Sequence, residues 1–344
     1  MKSVFLLFML IIYTGEASAA YMLGMILDSS TNTLLRPDGA SGKITSMYGN
    51  VAFSPGKIDF LYGFDGGILD RYDGIQFQHH TMDVSYNFIS KRNVTLYTTL
   101  EADIARYGDV TVLNGYDQYG MSVWAKSYIT NSTLLRWKAD VRRRSYSDFD
   151  MESYSQADTY LRLDRFFSTG TTLRGQIDAG TRRYYEQKLT PQTSFLGFRA
   201  RIAQSLGTGW GVWGEAHTSG LNSSSQQDTS QLFDSVFIDD RYKYSSTGLV
   251  LNTKYLLRDS GSIQFTTAVS KRNYGSSQAN TFWYLPQTGW KEMNWSVSFI
   301  IACRPDFFPE RIHPTLEIYH INVDASDSGL SYNSTGASIC LEIY

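Results

Sequence analysis

The chain has 344 residues with 31 Lys+Arg, 33 Asp+Glu and 5 His, a net charge of −2, and neither a basic block nor an acidic tail. Near-balanced charge removes the electrostatic case for nucleic acid, whose affinity rests on neutralising phosphates. Composition does not shift midway, so one large unit fits the length as well as two domains do, and 24 Tyr stand out against an ordinary apolar content.

At the N-terminus, Lys2 supplies a positive start, Val4 to Tyr13 a short apolar run, and Ala17 to Ala20 (ASAA) small residues for cleavage. That order predicts a secretory signal peptide over 1–19, cut near Ala19; a buried first helix is the alternative. No Cys follows the run, which argues against a lipid anchor. No later stretch reaches the roughly 18 apolar residues of a spanning helix. Residues 20–344 are expected to form a single exported domain.

From there hydropathy alternates with a period of two, the signature of strands. Candidate strands run near 21–28, 43–53, 57–65, 75–89, 93–106, 116–129, 133–146 and 153–167, then near 171–184, 193–206, 209–218, 242–257, 261–274, 289–303, 312–324 and 332–344. That is about sixteen, mostly longer than the roughly five or six residues of an ordinary strand.

The links alternate in length. Ser54 (SPG), Ser90 (SKR), Thr130 (TNS), Ser168 (STG), Gly207 (GT) and Arg258 (RDS) open tight hairpin connections. Between them lie long polar loops that begin at Tyr107, Glu186, Ser219 and Ser276; the segment from Arg304 is the one long member of the short series. Such alternation puts all short turns at one end of an up-and-down meander, the asymmetry of outer-membrane barrels.

Each strand has a modest apolar set, as in Leu96, Leu100 and Ile104, or Leu135, Trp137 and Val141, or Leu161 and Leu163, or Met293, Trp295, Val297 and Phe299. The opposite sets are polar: Tyr97, Thr99, Glu101 and Asp103, or Gln156, Asp158, Tyr160, Arg162 and Asp164. In the stretch 171–185, Leu173, Gly175, Ile177 and Ala179 oppose Arg174, Gln176, Asp178 and Arg182. Small-ligand barrels that bury an apolar interior use about eight strands, whereas about sixteen leave a lumen that apolar side chains cannot fill. The apolar set therefore faces lipid and the charged set faces inward. Phe88, Trp137, Phe167, Trp210 and Tyr255 fall outward near the short-turn ends, where aromatic rings suit the headgroup layer. Arg143 falls on the lipid-facing register near the external end, where the cost of an arginine drops from about 2–4 kcal/mol at the midplane to about 0–1.

Segments such as Ala157 to Tyr184 (ADTYLRLDRFFSTGTTLRGQIDAGTRRY) resemble the hairpins of bacterial outer-membrane β-barrel proteins, porin-like in strand number, and the resemblance covers the mature chain. It implies an all-β transmembrane up-and-down antiparallel barrel in the outer membrane of a Gram-negative cell. Such barrels meet lipid and the assembly machinery, and they commonly end on an aromatic residue with apolar residues in phase before it. Here Tyr344 is terminal, but Ala337, Ile339, Leu341 and Ile343 lie in the other register.

The inward charges are the candidate site. Arg136, Lys138, Arg142, Arg144, Arg162, Arg174, Arg182, Arg199 and Arg201 gather on the seventh to tenth strands; Glu292, Glu317 and Glu342 lie on the last three, and Glu101 and Asp103 on the fifth. In a closed ring of sixteen, the wall would be basic on one side and acidic on parts of the other, and a transverse field would orient polar solutes. Asp140, Asp158, Asp164 and Asp178 are interleaved with the arginines, so local pairing into a stiffening network is the other reading. The loop from Ser219 to Arg241 carries Leu232, Phe233, Val236, Phe237 and Ile238; its second half either folds onto the mouth, bringing Asp234, Asp239 and Asp240 to the basic wall, or prolongs the next strand.

No H-E-x-x-H, G-x-S-x-G or Cys/His metal spacing occurs, so no catalytic, cofactor or metal residue is expected. His79 and His80 must face opposite ways on a strand; His217 lies inward two residues after Glu215. Cys303 and Cys340 fall two strands apart on opposite faces, about 10 Å by strand spacing, beyond the roughly 7 Å a disulfide spans, and are expected as free thiols. The function expected is passive diffusion of small polar solutes. A non-conducting surface scaffold or assembly barrel with binding loops is the second reading, and an outer-membrane enzyme the third.

Overall fold

The computed structural model describes residues 18–30, 42–69, 75–107, 115–146, 153–185, 192–223, 244–257, 261–274, 291–303, 312–326 and 331–343. They form β1 (Ser18–Ser30), β2 (Gly42–Ser54), β3 (Ile58–Leu69), β4 (Ile75–Lys91), β5 (Val94–Tyr107), β6 (Tyr116–Thr130), β7 (Thr133–Tyr146) and β8 (Tyr154–Phe166). The second half adds β9 (Thr171–Tyr184), β10 (Gln192–Gly207), β11 (Trp210–Ser223), β12 (Tyr244–Leu257), β13 (Gly261–Tyr274), β14 (Lys291–Cys303), β15 (Ile312–Ala325) and β16 (Tyr332–Ile343). Every strand pairs antiparallel with its sequence neighbours, and β1 pairs with β16, so the sheet closes on itself and leaves no edge.

All sixteen expected strands are present. Three ends differ from the expectation by three residues or more. β1 starts at Ser18, so Ser18 and Ala19, assigned above to the leader, lie in a strand; residues 1–17 and Tyr344 are outside the described residues. β3 continues through Gly66, Gly67, Ile68 and Leu69, which pair with Gln78 to Ile75 of β4. β11 continues to Ser223, so Ser219 belongs to the sheet and not to the loop: Gly197 to Thr193 of β10 supply its ladder partners. Glycine and serine at these ends carry no alternation, and cross-strand hydrogen bonding decides what hydropathy cannot. Asp234, Asp239 and Asp240 lie outside the described residues.

The two faces of each strand are unlike. On β8, Tyr154, Gln156, Asp158, Tyr160, Arg162 and Asp164 are buried or half-buried, while Ala157, Leu161 and Leu163 are exposed. Curvature crowds side chains on the concave side of a closed sheet, so the more covered, charged set lines the lumen. The exposed set is the apolar one around the whole ring: Leu100 at 57%, Val141 at 56%, Leu251 at 58%. Bare aliphatic surface of this extent belongs against lipid.

The short-turn rim is ordered by tight geometry. Gly170 holds φ +77° in the turn between β8 and β9, a left-handed conformation that a side chain disfavours. Pairing registers shift between Asn87 and Ile89, between Tyr128 and Thr130, and between Ser205 and Gly207. Each of these bulges adds one residue, Phe88, Ile129 or Leu206, and all three are exposed apolar groups. Trp137, Phe167 and Trp210 are exposed at the same end, with Trp210 against Tyr255 at 4.9 Å between centroids. The long-loop rim has the only cluster of buried apolar rings among the described residues: Tyr146, Tyr154 and Tyr184, with Tyr116 packed on it. Cys303 and Cys340 are free thiols; Tyr48 Oη lies 3.1 Å from the Cys340 sulfur.

Candidate functional site in the barrel lumen

Strands β7 to β10 place nine cations on the inner face, because Arg and Lys recur there at alternate positions. They fall into three levels. Nearest the short turns, Asp164 is 1% exposed at its side chain and is surrounded by three arginines. Arg174 Nε donates to Asp164 Oδ1 at 2.6 Å, while Arg162 Nε and Arg136 Nε stand 3.5 and 3.6 Å from Oδ2. Arg136 and Arg162 are direct register partners, an arrangement that repels unless a counterion sits between. Asp164 is that counterion. Arg201, the register partner of Arg174, donates from Nε to Glu215 Oε2 at 2.7 Å and lies 4.0 Å over the Trp213 ring.

At mid-height, Lys138 is 3.5 Å from Asp140 and 4.0 Å from Glu101, with its ammonium 4.8 Å over the Trp124 ring. Trp124 is stacked on Tyr97 at 5.9 Å and meets Tyr160 edge-on at 5.8 Å. Its indole N–H donates to Ser122 Oγ at 3.2 Å, and Ser122 in turn donates to Glu101 at 3.0 Å. Arg142 bridges Asp158 at 2.6 Å and Asp140 at 3.3 Å; Arg199 is 3.2 Å from Asp178.

At the long-loop end the arginines lie on tyrosines. Arg144 donates to Gln118 Oε1 at 3.0 Å with its guanidinium 3.9 Å over the Tyr116 ring. Arg182 donates to Gln156 Oε1 from Nε and Nη2 at 2.8 and 2.5 Å and lies 4.1 Å over Tyr154. Planar guanidiniums accept both roles at once, which lysine does not.

The acidic residues lie at several places round the ring. Closure sets β15, β16, β1 and β2 across from β7 to β10, yet the carboxylates that touch the basic wall are its neighbours, Glu101 on β5 and Glu215 on β11, together with the interleaved aspartates. Asp103 meets His79 Nε2 at 2.5 Å and accepts from Tyr116 Oη at 3.4 Å. Glu292 sits on β14, off that axis, opposite Arg272 in register, and accepts from Tyr274 Oη at 3.2 Å. Glu317 pairs in register with Ser338 across the lumen from the basic wall; Glu342 pairs with His313, its side chain lying outside the described residues.

Sequence reasoning missed the companion group on β3 and β4, where Asp65 is the register partner of His79 and Asp83 that of Glu101. Inward phase was the available signal, and the uncertain span of β3 hid it. It also missed the Tyr97–Trp124–Tyr160 contact, which needs the register of β5, β6, β7 and β8. His79 and His80 do face opposite ways: His80 Nδ1 lies 2.8 Å from Tyr62 Oη on the outer face.

No protein-family model matches the chain, and no curated protein matches it in sequence. Solved structures do match in fold. A bacterial polysaccharide outer membrane secretin superposes with TM-score 0.58 at 10% identity, over 94% of this chain and 97% of that one. Acinetobacter baumannii OccAB1 gives 0.56 at 9% identity, over 96% and 97%. Pseudomonas aeruginosa OccD3 (OpdP) gives 0.55 at 7% identity, over 95% and 91%. The chain thus has the porin-like barrel fold of these Gram-negative outer-membrane proteins.

Proposed function

We propose that the chain is a passive diffusion channel for small polar solutes, with a preference for anions. One observation carries this reading: on β7 to β10, nine inward cations stand against four inward carboxylates, Asp140, Asp158, Asp164 and Asp178. A ring of this strand number leaves an aqueous lumen, and low-dielectric walls focus the field of this positive excess along one side of it. In this reading the leader is removed near Ala19 and the outer-membrane assembly machinery inserts the barrel. The even strand number supports placing both termini with the short turns in the periplasm.

A second reading, a non-conducting scaffold whose external loops bind a partner, is favoured by the ion pairs of the same wall, which join β7, β8 and β9 through Asp158 and Asp164. Conductance separates the two. Folded protein in a planar bilayer is expected to pass current in unit steps, and a salt gradient to give a reversal potential of anion-selective sign. Changing Arg136 and Arg162 together to Gln should move that potential towards zero. Absence of current from folded, inserted protein would overturn the channel and leave the scaffold.

A further inference from the structure

The outward arginines of β7 and β9 have no part in the lumen. Tyr119, Arg143, Ser155 and Arg183 stand in one row across β6, β7, β8 and β9, through the partners Tyr119↔Arg143, Arg143↔Ser155 and Ser155↔Arg183. All four lie in phase with the lipid-facing set, and Arg143 and Arg183 are both exposed. Height is set by the strand itself. From Leu173 to Arg183, β9 climbs roughly 26 Å along the axis at the usual tilt, close to the ~25 Å apolar band of such barrels. Below the row the outward residues of β9 are Thr181, Ala179, Ile177, Gly175 and Leu173. The row therefore sits at the headgroup level, where the exposed rings of Tyr119 and Tyr185 belong.

Its construction is specific. The Tyr185 hydroxyl is hydrogen-bonded to Ser155 Oγ, and the Tyr185 backbone N–H donates to Ser153 O at 3.0 Å. The Arg143 guanidinium lies 4.7 Å over the Tyr185 ring. Arg143 and Arg183 flank this pair two strands apart, about 10 Å by strand spacing. Among the described residues neither meets a carboxylate. The contrast on the same rim is Arg106, whose guanidinium is held by Asp117 at 2.5 Å and by the carbonyls of Ala105 and Tyr116 at 2.8 and 2.9 Å. Arg106 is neutralised by protein; Arg143 and Arg183 present two cations that meet no carboxylate among the described residues, with hydroxyl groups between them, facing lipid.

We propose that this row binds the phosphate groups of an anionic glycolipid in the outer leaflet, with Arg143 and Arg183 as paired charges and Ser155 and Tyr185 as hydroxyl partners. Guanidinium binds phosphate oxygens through parallel N–H donors, and the headgroup interface screens less than bulk water. The assignment to the outer leaflet rests on the orientation proposed above, with the long loops outside.

The test uses refolded full-length barrel in phosphatidylcholine vesicles that contain either bisphosphorylated lipid A or the same lipid with its phosphates removed, and reads retained lipid by native mass spectrometry. Wild type should prefer the phosphorylated lipid by about thirtyfold, from two cations near an anionic headgroup. Arg143→Ala with Arg183→Ala should abolish that preference, Arg143→Lys with Arg183→Lys should keep most of it, and Arg106→Ala should leave it unchanged. Heat-sensitive gel migration reports that each variant is folded. Equal retention of the two lipids by wild type, or an unchanged preference in the double alanine variant, overturns the site. A peptide tag placed in the Ser168–Gly170 turn and reached by antibody on intact cells would move the row to the inner leaflet and overturn that assignment. None of these readouts depends on current, so the channel can fail without the lipid site and the reverse.

Discussion

Strands β7 to β9 present two surfaces made from the same backbone, and the surfaces obey opposite rules. Inward, Arg136, Arg142, Arg162 and Arg174 each stand within 3.6 Å of a carboxylate, and Asp164 is covered completely by its arginines. Outward, Val141, Leu161 and Ile177 are bare, and cations occur only at the two ends, Arg165 below and Arg143 and Arg183 above. A soluble barrel inverts this order. The difference teaches that burial in this molecule is not a measure of apolarity: apart from Leu134 and Ala105, its most covered side chains are charged or hydroxylated because crowding on the concave side is matched by pairing, and its exposed ones are largely aliphatic because lipid is their solvent.

The sharpest way to break the comparison is to remove the shared counterion. Asp164→Asn leaves Arg136, Arg162 and Arg174 facing one another without a charge between them, and loss of one partner from a buried ionic group costs about 3–5 kcal/mol. Urea unfolding from vesicles should show that loss, and adding Arg174→Met should recover part of it. No shift in the midpoint would mean that water, not Asp164, compensates these arginines.

Next in size is a charge on the opposite face. Leu161→Arg, at the register partner of Trp137 and Ile177, should destabilise the inserted barrel by about 2–4 kcal/mol. Its inward counterpart Ser296→Arg should cost no more than roughly 0.5 kcal/mol. Equal losses at the two positions would show that the outer face does not meet lipid.

A smaller effect sharpens the packing of the inner face. A Cβ on Gly180 would stand 2.3 Å from Asp158 Oδ1 and 2.4 Å from Phe195 Cε1, so Gly180→Ala should cost about 1–3 kcal/mol by overpacking. It should also disturb the Arg142–Asp158 pair at 2.6 Å and so change single-channel conductance. Gly175→Ala, on the outer side of the same strand with open space around it, is the control and should change the unfolding midpoint by roughly 0.5 kcal/mol or less.

How much of this was legible differs between fold and site. Period two, tight turns and long strands specify an up-and-down barrel of about sixteen strands, and they sort Leu161 from Arg162 without any tertiary information, because alternation is a property of the extended backbone. The misread ends, at Gly66 to Leu69 and Ser219 to Ser223, lie where the residues carry no alternation and only a neighbouring strand completes the ladder.

By itself the sequence determined a barrel of about sixteen strands, their two faces, the outward aromatics of the short-turn rim, and that Arg and Lys gather inward on β7 to β10. Only the closed structure decided which carboxylate meets which cation: Asp164 among three arginines, Glu101 beside Lys138, Glu215 on Arg201, and Arg143 level with Arg183. The reason is physical. A strand fixes the side of each residue locally, but its height against its neighbours depends on register accumulated around the ring, and ion pairs, ring stacks and rows of like charge exist only at matching heights.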